Sequence, residues 1–182
     1  MKLIIIEGID KCGKTTMINS LYEMLKSSKR KCIIMNLPFN LNKPLNEDII
    51  RYRLRMETKN IIEMSKSFGD EYLCLIDRYH LSEKVYGKLL RGSCAEFECN
   101  YADAMFSELD SLLIHIVPDD IHCNFNKFKD NDGKIDGFTF YQYRAMLDKF
   151  TDEFNKSEMN KLQLKTSEID DFVRKTIRGE IC

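Results

Sequence analysis

Residues Lys2 to Thr16 read KLIIIEGIDKCGKTT, and the rest of the chain can be interpreted outward from this stretch. Lys2–Glu7 is a short apolar run rich in β-branched residues, which predicts a buried strand. Apolar residues then recur at helical spacing over Lys14–Leu25, which predicts an amphipathic helix. Between the two elements, Gly8–Thr15 matches G-x-x-x-x-G-K-[ST], the pattern of phosphate-binding loops. A strand, this loop and a helix in direct succession are the context that the motif requires.

The residue types of the loop explain its chemistry. Glycines let the backbone wrap so that successive N–H groups point inward at phosphates, and the following helix adds the positive end of its dipole. Lys14 would reach the β- and γ-phosphates, and Thr15 would offer its hydroxyl to Mg²⁺. We therefore predict that the loop binds ATP with Mg²⁺. The predicted binding residues are Gly8, Asp10, Lys11, Cys12, Gly13, Lys14, Thr15 and Thr16.

The remainder of the chain alternates strands with helices. Further strands are predicted at Cys32–Met35, Tyr72–Ile76, Leu112–Val117 and Lys161–Leu164. Helices are predicted at Asp48–Lys66, Ser82–Leu90, Ala95–Leu109, Phe140–Phe154 and Glu168–Arg178, with one short helix after Asp120. The alternation predicts an α/β fold, a five-stranded parallel sheet with helices on both faces. With no internal repeat or linker, we expect a single domain over residues 1–182.

Two polar residues, Asp77 and Arg78, follow the third predicted strand directly. In open α/β sheets ligands bind beyond the carboxyl ends of the strands, so both side chains should face the phosphates. Asp77 would hold Mg²⁺ or its waters, and Arg78 would neutralise charge on a transferring phosphoryl group. An ordinary salt bridge at the end of a strand is the alternative, and the position favours a functional role.

Two motifs together resemble the thymidylate kinase family of P-loop nucleotide kinases. Residues 7–16 read EGIDKCGKTT and match the family pattern E-G-x-D-x-x-G-K-[ST]-T. Residues 77–87 read DRYHLSEKVYG and match D-R-Y-x-x-S-x-x-A-Y, except that Val85 replaces alanine. The order of strands and helices is similar over nearly the whole chain, although the motifs cover only its first half. The resemblance implies a nucleoside monophosphate kinase fold and transfer of the ATP γ-phosphate to dTMP.

The resemblance also implies an acceptor site. Asp10 would contact the sugar 3′-hydroxyl of the acceptor, while Ser82 and Tyr86 would line its pocket. Family members place an arginine near the start of the helix before the third strand, where it clamps the acceptor phosphate. Arg55 lies within one residue of that spacing, and a guanidinium suits a phosphate because it donates two parallel hydrogen bonds.

A catalytic group is implied in the same way. Lys14 and Arg78 would stabilise the transferring phosphoryl group, and Thr15 and Asp77 would hold the metal. One branch of the family uses an arginine within the loop for the transfer. Lys11 stands at that place here, a cation of different geometry, and we predict that it takes part in catalysis.

The chain departs from the family pattern at two places. The segment after the second strand, Leu37–Asn46, contains no arginine and one lysine, Lys43. The charged loop Asn126–Gly137 occupies the place of the lid that covers the phosphates, and it too lacks arginine. It offers Lys127, Lys129 and Lys134 instead. A lysine of the lid, or Lys11, would then supply the missing charge.

These departures leave the acceptor open. A nucleoside, another deoxynucleoside monophosphate and a hydroxymethylated base within DNA are alternatives to dTMP, since some viral kinases of this type act on such acceptors. An ATPase or a GTP-driven switch would share the loop. Such switches usually carry N-K-x-D, and the near match at Asn42–Leu45 lacks the acid. The kinase interpretation is therefore preferred.

The predicted lid partly resembles a calcium-binding EF-hand loop. With Gly133 at position six, Asp130, Asp132 and Asp136 occupy ligand positions three, five and nine. Positions one and twelve are Phe128 and Thr139, so two of the strongest ligands are missing. A charged lid hinged at its two glycines is the preferred interpretation.

Aromatic residues begin the late helix, where Phe140, Tyr141 and Tyr143 precede Arg144. They could stack on a base. Packing into the core is the commoner use of such residues, and we prefer it.

Composition limits the partners. The formal net charge is −1, which does not favour a polymeric nucleic acid, and no stretch is apolar enough to span a membrane. The 7 cysteines have irregular spacing and are expected to be reduced thiols, so we expect a cytoplasmic protein. A small nucleotide is the expected partner. Thymidylate kinases are commonly dimers, and apolar residues near Ala95–Leu109 would supply a face for a homodimer.

Overall fold

The computed structural model describes residues 1–26, 30–36 and 46–178. The strands are β1 (Lys2–Glu7), β2 (Lys31–Asn36), β3 (Tyr72–Asp77), β4 (Ser111–Val117) and β5 (Lys161–Lys165). The helices are α1 (Lys14–Lys26), α2 (Glu47–Ser67), α3 (His80–Arg91), α4 (Glu96–Ser107), α5 (Ile121–Phe128), α6 (Phe140–Lys156) and α7 (Ile169–Ile177). A 3₁₀ turn, Thr166–Glu168, separates β5 from α7.

The five strands form a parallel sheet in the order β2-β3-β1-β4-β5. Its central strand, β1, is buried on both sides, since the consecutive residues Leu3, Ile4, Ile5 and Ile6 are all inaccessible to solvent. Side chains alternate across a strand, so such a run requires helices on both faces. Helix α1 packs against α7, while α2, α3, α4 and α6 contact one another as a second group. The predicted fold class is confirmed.

The strand order places a crevice at the carboxyl end of β1. The chain leaves β1 toward β2 and β3 on one side and later returns to β4 and β5 on the other. Ligands of open α/β sheets bind at such a reversal of strand order. The connections after β1, β3 and β4 all begin at this edge.

The predicted lid boundary is wrong by one helical turn. The sequence predicts a loop from Asn126, but α5 continues to Phe128, and the connection to α6 begins at Lys129. Helix α5 is held because Phe125 is buried, with its ring centroid 5.3 Å from that of Phe140 and 5.6 Å from that of Tyr143. Packing on one face therefore extends the helix into a sequence that looks like a charged loop.

In the described part of the chain, no helix combines the length and the apolar character needed to cross a bilayer. The cysteines of that part are free thiols at positions Cys12, Cys32, Cys74, Cys94, Cys99 and Cys123.

A buried carboxylate joins the end of β1 to the start of α3. Glu7 is inaccessible to solvent, and its Oε1 accepts hydrogen bonds from the backbone N–H groups of Tyr79 (2.7 Å), Leu81 (3.1 Å) and Ser82 (3.2 Å). Its Oε2 accepts from the hydroxyl of Ser82 at 2.5 Å. The first N–H groups of a helix have no partner within the helix, and an anion is favoured there. Glu7 thus caps α3 from a different element.

We expect Glu7→Gln to lower the free energy of unfolding by about 1–3 kcal/mol, because a neutral amide cannot accept all four bonds and would place an NH₂ group against buried donors. Urea denaturation of the purified chain measures the change. Glu23→Gln is the matched control, since the Glu23 side chain is 65% exposed and pairs with Lys26 on the surface of α1. Equal denaturation midpoints for the two variants would contradict the capping role.

Candidate functional site

The loop between β1 and α1 has two positions that only glycine can occupy. Gly8 has a φ of 142°, and a Cβ there would lie 2.5 Å from the carbonyl oxygen of Ile116 on β4. Gly13 has a φ of 101°, and a Cβ there would lie 2.8 Å from the side chain of Ile169 on α7. Gly8 is therefore required by its close approach to the backbone of β4 as well as by its φ, whereas Gly13 is required chiefly by its φ, since the Ile169 side chain could shift.

The loop holds the amine of Lys14 inside its own curve. Lys14 is buried, and its Nζ donates to the carbonyl oxygen of Ile9 at 2.5 Å, with the sulfur of Cys12 at 3.7 Å. No carboxylate of the described residues lies within ion-pair distance of this amine. Its charge therefore has no anionic partner within the described part of the chain, which suits the binding of phosphate.

A cavity of about 520 Å³ opens beside the loop at the carboxyl edge of the sheet. Eight of the residues predicted for the site line it, namely Asp10, Lys11, Gly13, Lys14, Thr15, Thr16, Asp77 and Arg78. The structure thus brings together residues from the loop after β1 and from the end of β3. Gly8 and Cys12 form part of the loop backbone without lining the cavity.

Asp77 provides a test of whether the site suits Mg²⁺. Its Oδ1 is buried and has no hydrogen-bond partner among the described residues, although Asp77 lines the cavity together with Thr15. An unpartnered buried carboxylate oxygen is costly unless a cation or water meets it. A carboxylate and a hydroxyl are also the hard oxygen ligands that Mg²⁺ prefers. The residues present therefore fit the predicted metal.

Arg78, Asp10 and Tyr86 form a connected polar cluster. The Arg78 guanidinium pairs with Oδ1 of Asp10 and donates to the Gly8 carbonyl oxygen at 3.2 Å. The Tyr86 hydroxyl donates to Oδ2 of Asp10 at 2.7 Å and lies 3.4 Å from the guanidinium. Burial raises the pKa of Tyr86 well above its ordinary value, so the phenol remains a donor. Burial opposes the charge of Arg78, but Tyr86 and Asp10 outweigh it and the pKa is raised.

Three predicted acceptor residues, Arg55, Ser82 and Tyr86, are not among those that line this cavity. Arg55, on α2, donates through Nε (2.9 Å) and Nη2 (2.5 Å) to the buried carboxylate of Glu98 on α4, and its side chain is 60% exposed. Ser82 is buried and its hydroxyl bonds to Glu7. In this structure the Ser82 hydroxyl therefore stabilises the start of α3, and its place in the acceptor pocket stays a prediction. The role of Arg55 stays a prediction.

Further residues line the cavity, of which the sequence singled out only Lys127 for the phosphates. They are Asn124, Lys127, Phe128, Asp136 and Thr166. The first three come from α5, which follows β4, and Thr166 follows β5, where its hydroxyl lies 3.0 Å from the Cys12 carbonyl oxygen. The predicted parallel direction of the strands was the available signal, because it sends the ends of β4 and β5 to the same edge.

The lid lysines and acids have different surroundings. Lys127 lines the cavity, whereas Lys129 and Lys134 do not. Asp130 accepts from the backbone N–H groups of Asp132 (3.0 Å) and Lys134 (2.8 Å), so its carboxylate closes a turn. No cluster of metal-ligating side chains is found among the described residues.

Of the aromatic residues at the start of α6, Phe140 and Tyr143 pack against the core as preferred above, whereas Tyr141 does not. Tyr143 is buried, Phe140 stacks on His122 with centroids 4.3 Å apart, and Tyr141 is 83% exposed. The segments discussed above as Leu37–Asn46 and Asn42–Leu45 fall, apart from Asn46, outside the described residues.

Comparisons with known proteins agree with this geometry. No protein-family model matches the chain. It is 32% identical over 99 residues to a protein described as probable thymidylate kinase 1 of Saccharolobus solfataricus, a match that covers 47% of this chain and 50% of the relative. The chain thus spans about half the length of the curated relative that it matches.

Solved structures agree over nearly the whole chain. The YorR protein of Bacillus subtilis, solved in complex with phosphorylated GDP, superposes with a TM-score of 0.69 at 18% identity, covering 97% of this chain and 94% of that one. Thymidylate kinase from Ehrlichia chaffeensis superposes with a TM-score of 0.61 at 16% identity, covering 97% and 98%. The chain has the fold of thymidylate kinase-like nucleotide kinases, and about half of it is similar in sequence to a thymidylate kinase.

Proposed function

We propose that the chain is a kinase that transfers the γ-phosphate of ATP to a deoxynucleoside monophosphate, with dTMP as the first acceptor to test. One observation carries the proposal: the phosphate-binding loop and the Asp77–Arg78 pair line the same cavity. The partial similarity to a thymidylate kinase supports the choice of dTMP.

The chain's own residues suffice for positioning and charge stabilisation, which carry most of phosphoryl transfer. Lys14 releases the Ile9 carbonyl and donates to the β- and γ-phosphates, while loop N–H groups hold the phosphate oxygens. Thr15 and Asp77 would hold Mg²⁺, and the bound metal would supply positive charge to neutralise the phosphates. The acceptor oxygen forms a bond to the γ-phosphorus as the bond to the β,γ-bridging oxygen breaks, and ADP leaves. Arg78 and Lys11 stabilise the charge on the equatorial oxygens.

Lys127 is the lid cation that we assign to this transfer. It lies in the last turn of α5 and lines the cavity, in contrast to Lys129 and Lys134. A lysine acts as a point charge, so it requires less exact alignment than the fork of an arginine. Lys127 therefore supplies the charge that an arginine would supply elsewhere.

A guanine nucleotide is the second acceptor class. YorR, which has the higher TM-score of the two solved structures described above, was solved with phosphorylated GDP. The polar cluster of Asp10, Arg78 and Tyr86 can contact a sugar and a phosphate whatever the base. Base identity therefore has to be measured.

A coupled assay of ADP release tests the function directly. Mg·ATP is supplied with dTMP, dUMP, dGMP, GDP, the other deoxynucleoside monophosphates, thymidine, and DNA with and without hydroxymethylated bases. We expect turnover with dTMP, and a loss of at least about a hundredfold in Lys14→Ala, which removes the cation at the γ-phosphate. ADP release that no acceptor stimulates would reject the kinase proposal in favour of an ATPase, and turnover with another acceptor alone would reject dTMP.

Three single lysine variants test the lid assignment. We expect Lys127→Ala to lower kcat about tenfold to a hundredfold, because one cation beside the transferring phosphoryl group is lost. Lys129→Ala and Lys134→Ala are matched controls that remove the same charge outside the cavity, and they should retain kcat within about twofold. Equal losses in all three variants would point to a general effect of charge and would remove Lys127 from the site.

We also propose that the chain forms a homodimer through α4. Phe97 is 70% exposed and Tyr101 is 43% exposed, and they lie one helical turn apart on one face. Large aromatic side chains exposed together mark contact surfaces. Sedimentation velocity should give a dimer for the unmodified chain and a monomer for Phe97→Glu. Tyr141→Glu, at an exposed aromatic residue on α6, is the control and should leave the dimer intact; a monomeric unmodified chain would overturn the proposal.

A further inference from the structure

The hydroxyl of Tyr143 connects the phosphate-binding loop to the wall of the cavity. Tyr143 is on α6 and is inaccessible to solvent. Its hydroxyl donates to the backbone carbonyl oxygen of Asp10 at 2.5 Å and accepts from Nδ2 of Asn124, on α5, at 2.8 Å. Burial raises the pKa of Tyr143, so the phenol keeps the proton that it donates.

The Asp10 carbonyl that Tyr143 contacts belongs to the same peptide unit as the backbone N–H of Lys11. In a trans peptide the C=O and the next N–H point in opposite directions, so the Asp10 carbonyl and the Lys11 N–H share one plane. With the carbonyl directed at Tyr143, the Lys11 N–H points away from it. Lys11 also has a φ of 62°, an uncommon left-handed conformation for a residue other than glycine. Such a conformation persists only where the surroundings fix it.

Asp10 is therefore held from two sides. Its carboxylate is bound by Arg78 and Tyr86, and its carbonyl is bound by Tyr143. The contacts to the Asp10 carboxylate do not restrict rotation of the Asp10–Lys11 peptide plane. The hydrogen bond from Tyr143 to the Asp10 carbonyl does restrict it. The tyrosine hydroxyl is thus placed to set the direction of the loop's backbone donor.

We propose that Tyr143 is a positioning residue for the triphosphate: its hydroxyl fixes the Asp10–Lys11 peptide so that the Lys11 N–H and side chain are presented to the phosphates. The proposal rests on the proposed function for its choice of ligand. Tyr143 itself does not line the cavity and touches no substrate. Packing alone would be served equally well by phenylalanine, since the Tyr143 ring already packs on Phe125.

Tyr143→Phe removes the hydroxyl and keeps the ring. We expect Mg·ADP to bind about tenfold more weakly by calorimetry, a loss typical of one lost hydrogen bond, and KM for ATP to rise by a similar factor with a smaller change in kcat. Hydrogen exchange at the Lys11 and Cys12 amides should become faster. Tyr79→Phe is the matched control, because the Tyr79 hydroxyl is equally buried and bonds to Thr58 (2.7 Å) and Leu54 (3.3 Å) on α2. It should leave nucleotide affinity unchanged.

A second variant keeps the test valid if Tyr143→Phe folds poorly. Asn124→Asp replaces the donor to Tyr143 with an acceptor, which draws the phenolic proton away from Asp10. The new charge also weakens Mg·ADP binding directly, so the diagnostic quantity is the interaction between the two substitutions. Asn124→Asp should therefore weaken Mg·ADP binding by a larger factor when it is introduced into the unmodified chain than when it is introduced into the Tyr143→Phe variant.

Unchanged Mg·ADP affinity and unchanged loop exchange in Tyr143→Phe would overturn the proposal, and so would strictly additive effects of the two substitutions. These readouts need no phosphoryl acceptor. The positioning role therefore stands if the affinity and exchange changes occur while every acceptor in the kinase assay fails, and it falls if they are absent in an active kinase.

Discussion

The geometry of the site depends on the buried carboxylate of Glu7, which does not itself line the cavity. Glu7 ends β1 and accepts three backbone N–H groups from the segment that follows β3, together with the Ser82 hydroxyl. A buried carboxylate is costly unless each of its lone pairs has a partner, so this arrangement tolerates little displacement. It fixes the connection through Arg78, which has a φ of 65° and whose own N–H donates to the Ile6 carbonyl oxygen. The residues after β1 and after β3 therefore meet in a defined way.

That constraint explains the electrostatic pattern of the cavity. Lys14 has an amine without a carboxylate partner among the described residues, whereas the charge of Arg78 is shared with Asp10. A phosphate can thus meet Lys14 without displacing an acid. A phosphate that binds Arg78 must compete with the Asp10 carboxylate. A sugar hydroxyl that binds Asp10 would weaken the Asp10–Arg78 ion pair and so reduce this competition. Under the proposed function, the loop would bind phosphate without displacing an acid, while on the acceptor side the freedom of the guanidinium would be coupled to the occupation of Asp10.

The features that the sequence predicted correctly are those whose residue pattern lies within one short segment of the chain. The first strand, the loop and the D-R-Y segment each carry a pattern within about ten residues, and the five parallel strands follow from the alternation of elements. Asn124, Asp136 and Thr166 carry no such pattern, since they reach the cavity only because β4 and β5 end at the same edge. The partner of Ser82 was not predicted for a related reason: its motif position is local, but the buried carboxylate that its hydroxyl contacts is 75 residues away.

The error at the lid has the most mechanistic weight. A charged sequence with two glycines looks like a loop, yet burial of Phe125 extends α5 to Phe128 and so places Lys127 on a helix. A side chain on a helix is held more precisely than one on a loop, and its backbone loses no further entropy when a ligand arrives. Lys127 also lies beside Asn124, which bonds to Tyr143 and through it to the phosphate loop. Under the proposed function, the lid cation Lys127 and the backbone of the phosphate loop would thus be supported by one packed unit of α5 and α6, which offsets the lack of an arginine in the predicted lid.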